Sequence, residues 1–392
     1  MIVVHLGPLA LDHGGTVLVD RALRGAAPGA EVRIDGTHPE LIEQLRTWCR
    51  VRGHQLATER PAVVVRGATD RWRGALATGH PDPTTDGAIA AQADPRWGLA
   101  ARGATVEDGP AELAFALSDR DEVWLDDAPR LYAQAVAAQW DPATAVPWHA
   151  PIDHPDAVED AVVQLMTYLI ENETAALLVP ARFIGQVHPQ FREVQALLAI
   201  QAADEARHVE VFTRRATLRR GAIGTSSRGG QASLATLVAE PSFALATFLL
   251  SVLGETSFLE LLRFLHDVGP DPVTRAVARL AAVDEARHVA FAVGHLRHRI
   301  ALDPNLRGEL AAGIHARNSA LRHTTGLNDD VFDALVIVAA GGLEPDRIEV
   351  GFDRVTELVD RMDRARRAHL VRLGYDDHEA AALSALHTRN FM

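Results

Sequence analysis

Three features of this sequence predict a mostly α-helical protein: a four-helix bundle with extra C-terminal helices, preceded by a small α/β domain. The pentapeptide Asp-Glu-Ala-Arg-His occurs twice, at residues 204–208 and 284–288, each time inside a long stretch of helical apolar periodicity. Each copy is preceded by another helix-compatible stretch carrying a Glu among apolar residues, Tyr168–Leu178 and Leu253–Leu262. The first 66 residues instead alternate short β-like runs with amphipathic ones.

The repeated motif has a chemical reading. A helix turns about 100° per residue, so a Glu and a His three apart project from one face and can offer an oxygen and a nitrogen to one metal ion. One Glu from each of two helices plus Glu-x-x-His from each of two others gives four carboxylates and two imidazoles. That donor set suits a pair of iron or manganese ions held inside a bundle.

Hairpin symmetry selects the first Glu of each pair. The second hairpin should turn near Gly269-Pro270, and Glu255 and Glu285 each lie 15 residues from Pro270 (270−255, 285−270). The first should turn near His188-Pro189, and Glu173 and Glu205 each lie 16 from Pro189 (189−173, 205−189), with Glu171 held in reserve. The candidate ligands, which are also the candidate catalytic set, are therefore Glu173, Glu205, His208, Glu255, Glu285 and His288. Glu260 lies about 140° around the helix from Glu255 and should serve another face.

Ionised carboxylates in apolar surroundings need a counter-charge, and two metal ions supply it. The bland alternative is a pair of solvated helix faces with polar pairs at i,i+3 spacing. Asp204 and Asp284 are candidates to accept the outer N–H of a ligand His, or else ordinary surface acids, and Arg207 and Arg287 could balance them. His188, His266, His295 and His298 read as surface or core histidines. Phe183, Phe191, Phe212, Phe258 and Phe291 are candidates to line a pocket or to fill the core.

The chain has 392 residues, 47% of them hydrophobic, and a formal charge of −13, enough to bury a large core and with no long basic face for nucleic acid. All 39 basic residues are Arg. The single Cys, Cys49, excludes an internal disulfide, a CxxC pair and a thiolate cluster, and should be a buried, inert thiol. The N-terminus has no signal-peptide pattern and no stretch reaches 18 uninterrupted apolar residues. A cytoplasmic protein with no membrane association is expected.

In chain order, residues 1–66 should form strands at Ile2–Leu6, Glu31–Ile34, Gln55–Ala57 and Ala62–Val65, with helices at Gly15–Leu23 and Pro39–Arg52. Residues 67–125, rich in Gly, Pro, Asp and Thr, read as a linker, and 126–392 as the helical domain. Within it a helix should start near Asp127, Asp156 should cap the next, and Pro180 should kink or end it. Arg214–Gln231 should be a flexible basic loop between the hairpins. After the second motif helix ends near Asp303-Pro304, helices are expected at Leu306–Leu321, Asp329–Ala340, Pro345–Leu373 and His378–Leu386, packed on the core or forming a dimer face.

Two resemblances follow from these residues. The stretch from Glu31 to Leu56, with Trp48-Cys49 and Gly53-His54, resembles the TusA-type sulfurtransferase-like family. That family carries sulfur on a Cys-Pro pair at the start of its first helix, whereas here Leu6-Gly-Pro-Leu-Ala-Leu contains no Cys, so the resemblance implies an interaction module rather than a sulfur carrier. Residues from about 155 to 300, through the paired Asp-Glu-x-Arg-His motifs and Glu255-Thr-Ser-Phe, look like the ferritin-like di-iron oxygenase superfamily. This implies two iron ions (manganese is the other candidate) that activate dioxygen to oxidise a small organic substrate by hydroxylation or N-oxygenation. It also implies an electron-donor protein and a possible homodimer. The alternatives are ferritin-like iron storage or peroxide detoxification, and a non-enzymatic, metal-stabilised bundle. A radical-generating role would need Tyr168, which lies about 140° off the face of Glu173.

Overall fold

The computed structural model describes residues 1–68, 72, 74–321 and 329–387. It divides into two compact units, Met1–Thr78 with Gly103–Glu112, and Gly79–Arg102 with Leu113–Met392. The stretch read as a linker, 67–125, is thus shared between them, and parts of it are built into the helical unit.

In the first unit, β1 (Ile2–Gly7) and β2 (Glu31–Gly36) are parallel and joined through α1 (Gly15–Arg24). After α2 (Leu41–Arg52), β3 (Gln55–Glu59) and β4 (Ala62–Val65) complete a sheet of order β1-β2-β4-β3. A parallel pair needs a crossover, and α1 supplies it, whereas the hairpin of β3 and β4 needs only a tight turn. Val32, Ile34 and Val64 point to one face, where they pack with Val19, Leu23 and Leu45. Cys49 joins this core, and burial pushes its thiol up to about 11, so it stays protonated and inert. Gly53 ends α2 in the left-handed conformation, at φ 73°, which its missing Cβ allows. Two short strands, β5 (Leu76–Ala77) and β6 (Thr105–Val106), pair nearby in sequence to the boundary.

The second unit begins with α3 (Arg120–Val123) and α4 (Ala128–Ala137). The first long hairpin is α5 (Asp156–Ile184) and α6 (Arg192–Arg220), turning through residues 185–191. Asp156 is the first helical residue of α5, with Pro155 at the cap position; its charge sits in the first turn rather than capping it. Pro180 neither ends α5 nor stops its last turn, which runs on to Ile184. Packing of a helix buried on most sides outweighs the lost hydrogen bond.

The expected loop over Arg214–Gln231 is mostly helix, with α6 reaching Arg220 and α7 (Arg228–Val238) following. Arg215, read from the sequence as part of that flexible loop, is fully buried. Its guanidinium donates to both oxygens of Glu159 at 2.9 Å, to Asp271 Oδ2 at 2.8 Å and to Thr274 Oγ1 at 2.8 Å. The loop reading missed that a charge at the end of a helix can be buried by the helix opposite.

The second hairpin opens with α8 (Phe243–Thr247), passes through a π-helical turn at Phe248–Glu255 and continues as α9 (Thr256–Val268). Together they make a 26-residue apolar rod long enough to cross a membrane, but 83% of its most apolar window is buried inside the unit. α10 (Pro272–Leu302) returns antiparallel. Asp271 caps it, accepting from the N–H groups of Val273 and Thr274 at 2.9 Å.

Then come α11 (Leu306–Leu321), α12 (Asp329–Ala340), α13 (Pro345–Arg372) and α14 (Asp377–Ala385). α12 packs on α5, and α13 on α9 and α12. Where α13 crosses α12, a Cβ on Gly351 would sit 2.5 Å from the Val336 carbonyl, so only glycine permits that approach. These helices enlarge the core and bury the outer faces of both hairpins.

Candidate metal centre

Each hairpin places its two functional helices antiparallel, so residues equally far from the turn face each other. The structure brings Glu173 of α5, Glu205 and His208 of α6, Glu255 at the end of the π-helical turn, and Glu285 and His288 of α10 together in the interior, each at most 5% exposed. They form two overlapping cages. Glu173, Glu205, His208 and Glu285 make one; Glu205, Glu255, Glu285 and His288 make the other, and within each cage the donor atoms lie within 4.8 Å of one another. Glu205 and Glu285 belong to both. Glu171 is half-buried and lies in neither cage.

The imidazoles turn Nδ1 inward. His208 Nδ1 lies 3.1 Å from Glu205, 3.4 Å from Glu173 and 3.4 Å from Glu285. His288 Nδ1 lies 3.0 Å from Glu205 and 3.3 Å from Glu285. Both outer nitrogens are held by aspartates, and the holding is crossed: His208 Nε2 meets Asp284 Oδ2 at 3.2 Å, and His288 Nε2 meets Asp204 Oδ2 at 3.4 Å. The Asp of each motif therefore serves the His of the other, which sequence spacing alone does not reveal. A carboxylate so placed makes the outer nitrogen the N–H tautomer and leaves Nδ1 free to ligate.

Arg207 donates to Asp204 at 2.5 Å and to Asp284 at 2.9 Å, while Arg287 pairs with Asp284 and lies 3.5 Å from Asp204. Two arginines thus balance two aspartates. The four glutamates remain as the uncompensated charge, matching two divalent cations.

Ordinary hydrogen bonding does not satisfy these acids. Oε1 of Glu173, Glu205 and Glu285 and Oε2 of Glu255 are buried without a hydrogen-bond partner. Such orphans cost free energy unless an ion takes them up, and the set of buried oxygens and imidazole nitrogens fits hard to borderline divalent metals. Charge coupling is strong. Burial drives the Glu173 and Glu255 carboxyls well above the usual range, and the charges of neighbouring glutamates add to it. Burial would also raise Glu205, but the charge of His288 and the hydrogen bond from His208 outweigh it, and the net direction is down. Burial would lower both histidines, yet the acids around them hold them well above their ordinary value.

Several contacts had no sequence signal. Gln201, one turn before Glu205 on α6, donates to Glu255 Oε1 at 3.2 Å. Gln139 donates to Asp204 at 2.8 Å and Trp140 Nε1 to Asp284 at 2.8 Å. The Trp140 ring also lies 6.4 Å from that of His208 and nearly parallel to it, with the Arg207 guanidinium 4.6 Å above the indole. Gln139 and Trp140 stand just past the end of α4, where the sequence shows only a helix break. They reach the site because α4 packs against α6 and α10.

Other candidates fall elsewhere. His295 is fully buried beyond the cages and meets the Trp124 carbonyl at 3.3 Å, and His188 caps the turn of the first hairpin. His266 meets the Arg275 carbonyl at the exposed end of α9. Glu260 pairs with Arg263 and faces Arg361 of α13. Phe183 and Phe291 line a small cavity that Gln201 and Ser251 also reach, while Phe191, Phe212 and Phe258 fill the core, with the Phe212 ring 6.3 Å from His208. Tyr168 is buried outside the two cages.

Comparison with known proteins agrees with this geometry. Residues 158–319, which contain all six cage residues, match the family model described as P-aminobenzoate N-oxygenase AurF. The chain is a non-haem di-iron oxidoreductase. Solved structures with a similar course of the chain include a variant of an R2-like ligand-binding oxidase with an aerobically reconstituted Mn/Fe cofactor. It is 16% identical, covers 62% of this chain and 92% of its own, and has a TM-score of 0.45. Another is the R2-like ligand-binding oxidase from Sulfolobus acidocaldarius, 17% identical, covering 61% and 91%, with a TM-score of 0.42. A search of curated proteins gave no significant match.

Proposed function

We propose that Glu173, Glu205, His208, Glu255, Glu285 and His288 hold two iron ions, and that the protein is an N-oxygenase acting on a small aromatic amine. The observation that carries this reading is the pair of overlapping, fully buried cages sharing Glu205 and Glu285, within the segment that matches an N-oxygenase family. When bound, the iron pair supplies the redox chemistry that activates dioxygen. For an oxygenase, one oxygen atom goes to the amine nitrogen and the other leaves as water, with two electrons and two protons from an outside reductant. A separate electron-donor protein is the source we assign.

The chain's own residues orient and protect the centre. Asp204 and Asp284 hold the outer N–H of His288 and His208. Arg207 and Arg287 hold the aspartates, and Gln201 fixes one oxygen of Glu255. Trp140 covers His208 and excludes water from that side. Pre-set ligands in a dry interior cost no reorganisation when the reaction occurs. The N-terminal unit, with an inert Cys49, serves in this reading as a docking module and carries no sulfur.

Iron analysis followed by oxygen consumption of the reduced protein, with and without aniline-type amines, tests the reading. Two irons per chain and amine-dependent oxygen uptake with a hydroxylamine, nitroso or nitro product are expected. Accumulation of ferric mineral at high iron would indicate storage instead. Bound metal that never reacts with oxygen would indicate a purely structural centre.

A further inference from the structure

Of the four cage glutamates, Glu173, Glu205 and Glu285 stand inside long α-helices, whereas Glu255 is the last residue of the π-helical turn, where the chain returns to α-helix as α9. A π-helical turn holds an extra residue, so moving that junction past Glu255 would re-aim its carboxylate by about 100°. Whatever fixes the junction therefore fixes this ligand. The Leu253 carbonyl lies at it and accepts twice, from the Thr256 N–H and from the Ser257 hydroxyl, the latter at 2.9 Å.

The Ser257 hydroxyl is itself held from another helix. Arg366 of α13, buried like Ser257, donates from Nη1 to Ser257 Oγ at 2.9 Å and from Nε to Ser384 Oγ of α14 at 3.0 Å. A hydroxyl has one proton, so with Arg366 on its lone pair Ser257 has that proton committed to Leu253. Asp363 stands 3.8 Å from the guanidinium and accepts from the Ser384 hydroxyl at 2.7 Å. Burial pushes Arg366 down to about 10, with the charge of Asp363 opposing, and it stays protonated at neutral pH. A charged donor in a dry interior makes a stronger hydrogen bond than a neutral one.

We infer that Arg366 is a positioning residue for the metal pair: acting through Ser257 and the Leu253 carbonyl, it holds the end of the π-helical turn at the register that aims Glu255 into its cage. The inference rests on the two-iron reading proposed above. It makes the two cages unequal. The cage of Glu255 leans on the C-terminal helices, whereas Glu173, Glu205, His208 and Glu285 all belong to α5, α6 and α10.

Ser257→Ala removes the hydroxyl that carries the relay, and Ser384→Ala removes the other hydroxyl on the same guanidinium, so the two together separate positioning from support of the fold. In the full chain, chelator competition should show one of the two irons held about tenfold more weakly in Ser257→Ala and in Arg366→Met, the other unchanged, and both unchanged in Ser384→Ala. The Mössbauer spectrum should likewise alter for one iron site and not the other. Joining Arg366→Met to Ser257→Ala should weaken that iron no further, since one residue acts through the other. Ser257→Ala, the milder change, carries the test even where Arg366→Met does not fold. Two irons held as tightly in folded Ser257→Ala as in the unmodified chain, equal losses in Ser257→Ala and Ser384→Ala, or a further loss in the double variant would overturn the inference. If the unmodified protein binds no iron, the functional reading itself fails. Two irons that respond alike remove only the positioning role.

Discussion

Glu205 and Glu285 differ from the other four cage residues because each is shared by both cages. Replacing either with Ala should empty both sites, lowering iron from about two per chain toward zero. Glu173→Ala and Glu255→Ala each strip one cage and should leave about one iron. Metal analysis of the purified variants checks this, and equal losses from all four would contradict the sharing. Asp284 receives four groups, His208, Arg207, Arg287 and Trp140. Asp284→Asn keeps its shape but removes the charge that orients His208, and iron affinity should weaken about 10- to 100-fold. Competition with a chelator measures the change, and an unaltered affinity would mean the crossed contact is incidental.

Among the elements, the helix ends are tied by buried polar groups that no periodicity reveals. Arg215 at the end of α6 joins Glu159 of α5 to Asp271 at the start of α10, and all three are at most 1% exposed. Removing one member leaves uncompensated buried charge. Arg215→Ala should therefore destabilise by about 3 to 5 kcal/mol, read as a lowered midpoint in denaturant, while a loss under 1 kcal/mol would mean the acids find water. α10 also carries His295, packed between Phe243 and Phe291. Burial pushes its imidazole down to about 3, with the charges of Arg299 and His298 acting the same way and its contact with the Trp124 carbonyl opposing them. A folded value below the unfolded one means that the unfolded chain binds more protons between the two. Stability contributed by neutral His295 is then complete above about pH 6.5 and falls by up to about 1.4 kcal/mol per pH unit as the medium is acidified toward 3. His295→Phe should flatten that acid limb in melting curves taken between pH 4 and 7; an unchanged slope would mean other groups carry it.

For the whole molecule, the dimetal cages found among the described residues lie in the helical unit, since every cage residue lies between residues 173 and 288. Cys49→Ser should accordingly leave iron content and oxygen consumption unchanged, and lost activity in a folded variant would give the first unit a chemical part. Most of the architecture was legible because helices and strands impose periods of 3.6 and 2 on buried residues, and the four C-terminal helices begin and end within a few residues of their expected limits. The antiparallel placement of Glu173 against Glu205 and of Glu255 against Glu285 was legible too, since a hairpin turn makes facing positions equidistant. The Arg215 network, the course of α5 past Pro180 and the building of residues 79–102 into the helical unit were not legible, because each depends on partners far away in the chain. By itself the sequence determined two hairpins, their turns and six side chains on inward faces, all consequences of local geometry. Only the tertiary structure decided that two glutamates are shared, that each Asp serves the opposite His, and that Gln139, Trp140 and Gln201 close the shell. These depend on how four helices lie across one another, and no spacing along one chain encodes that.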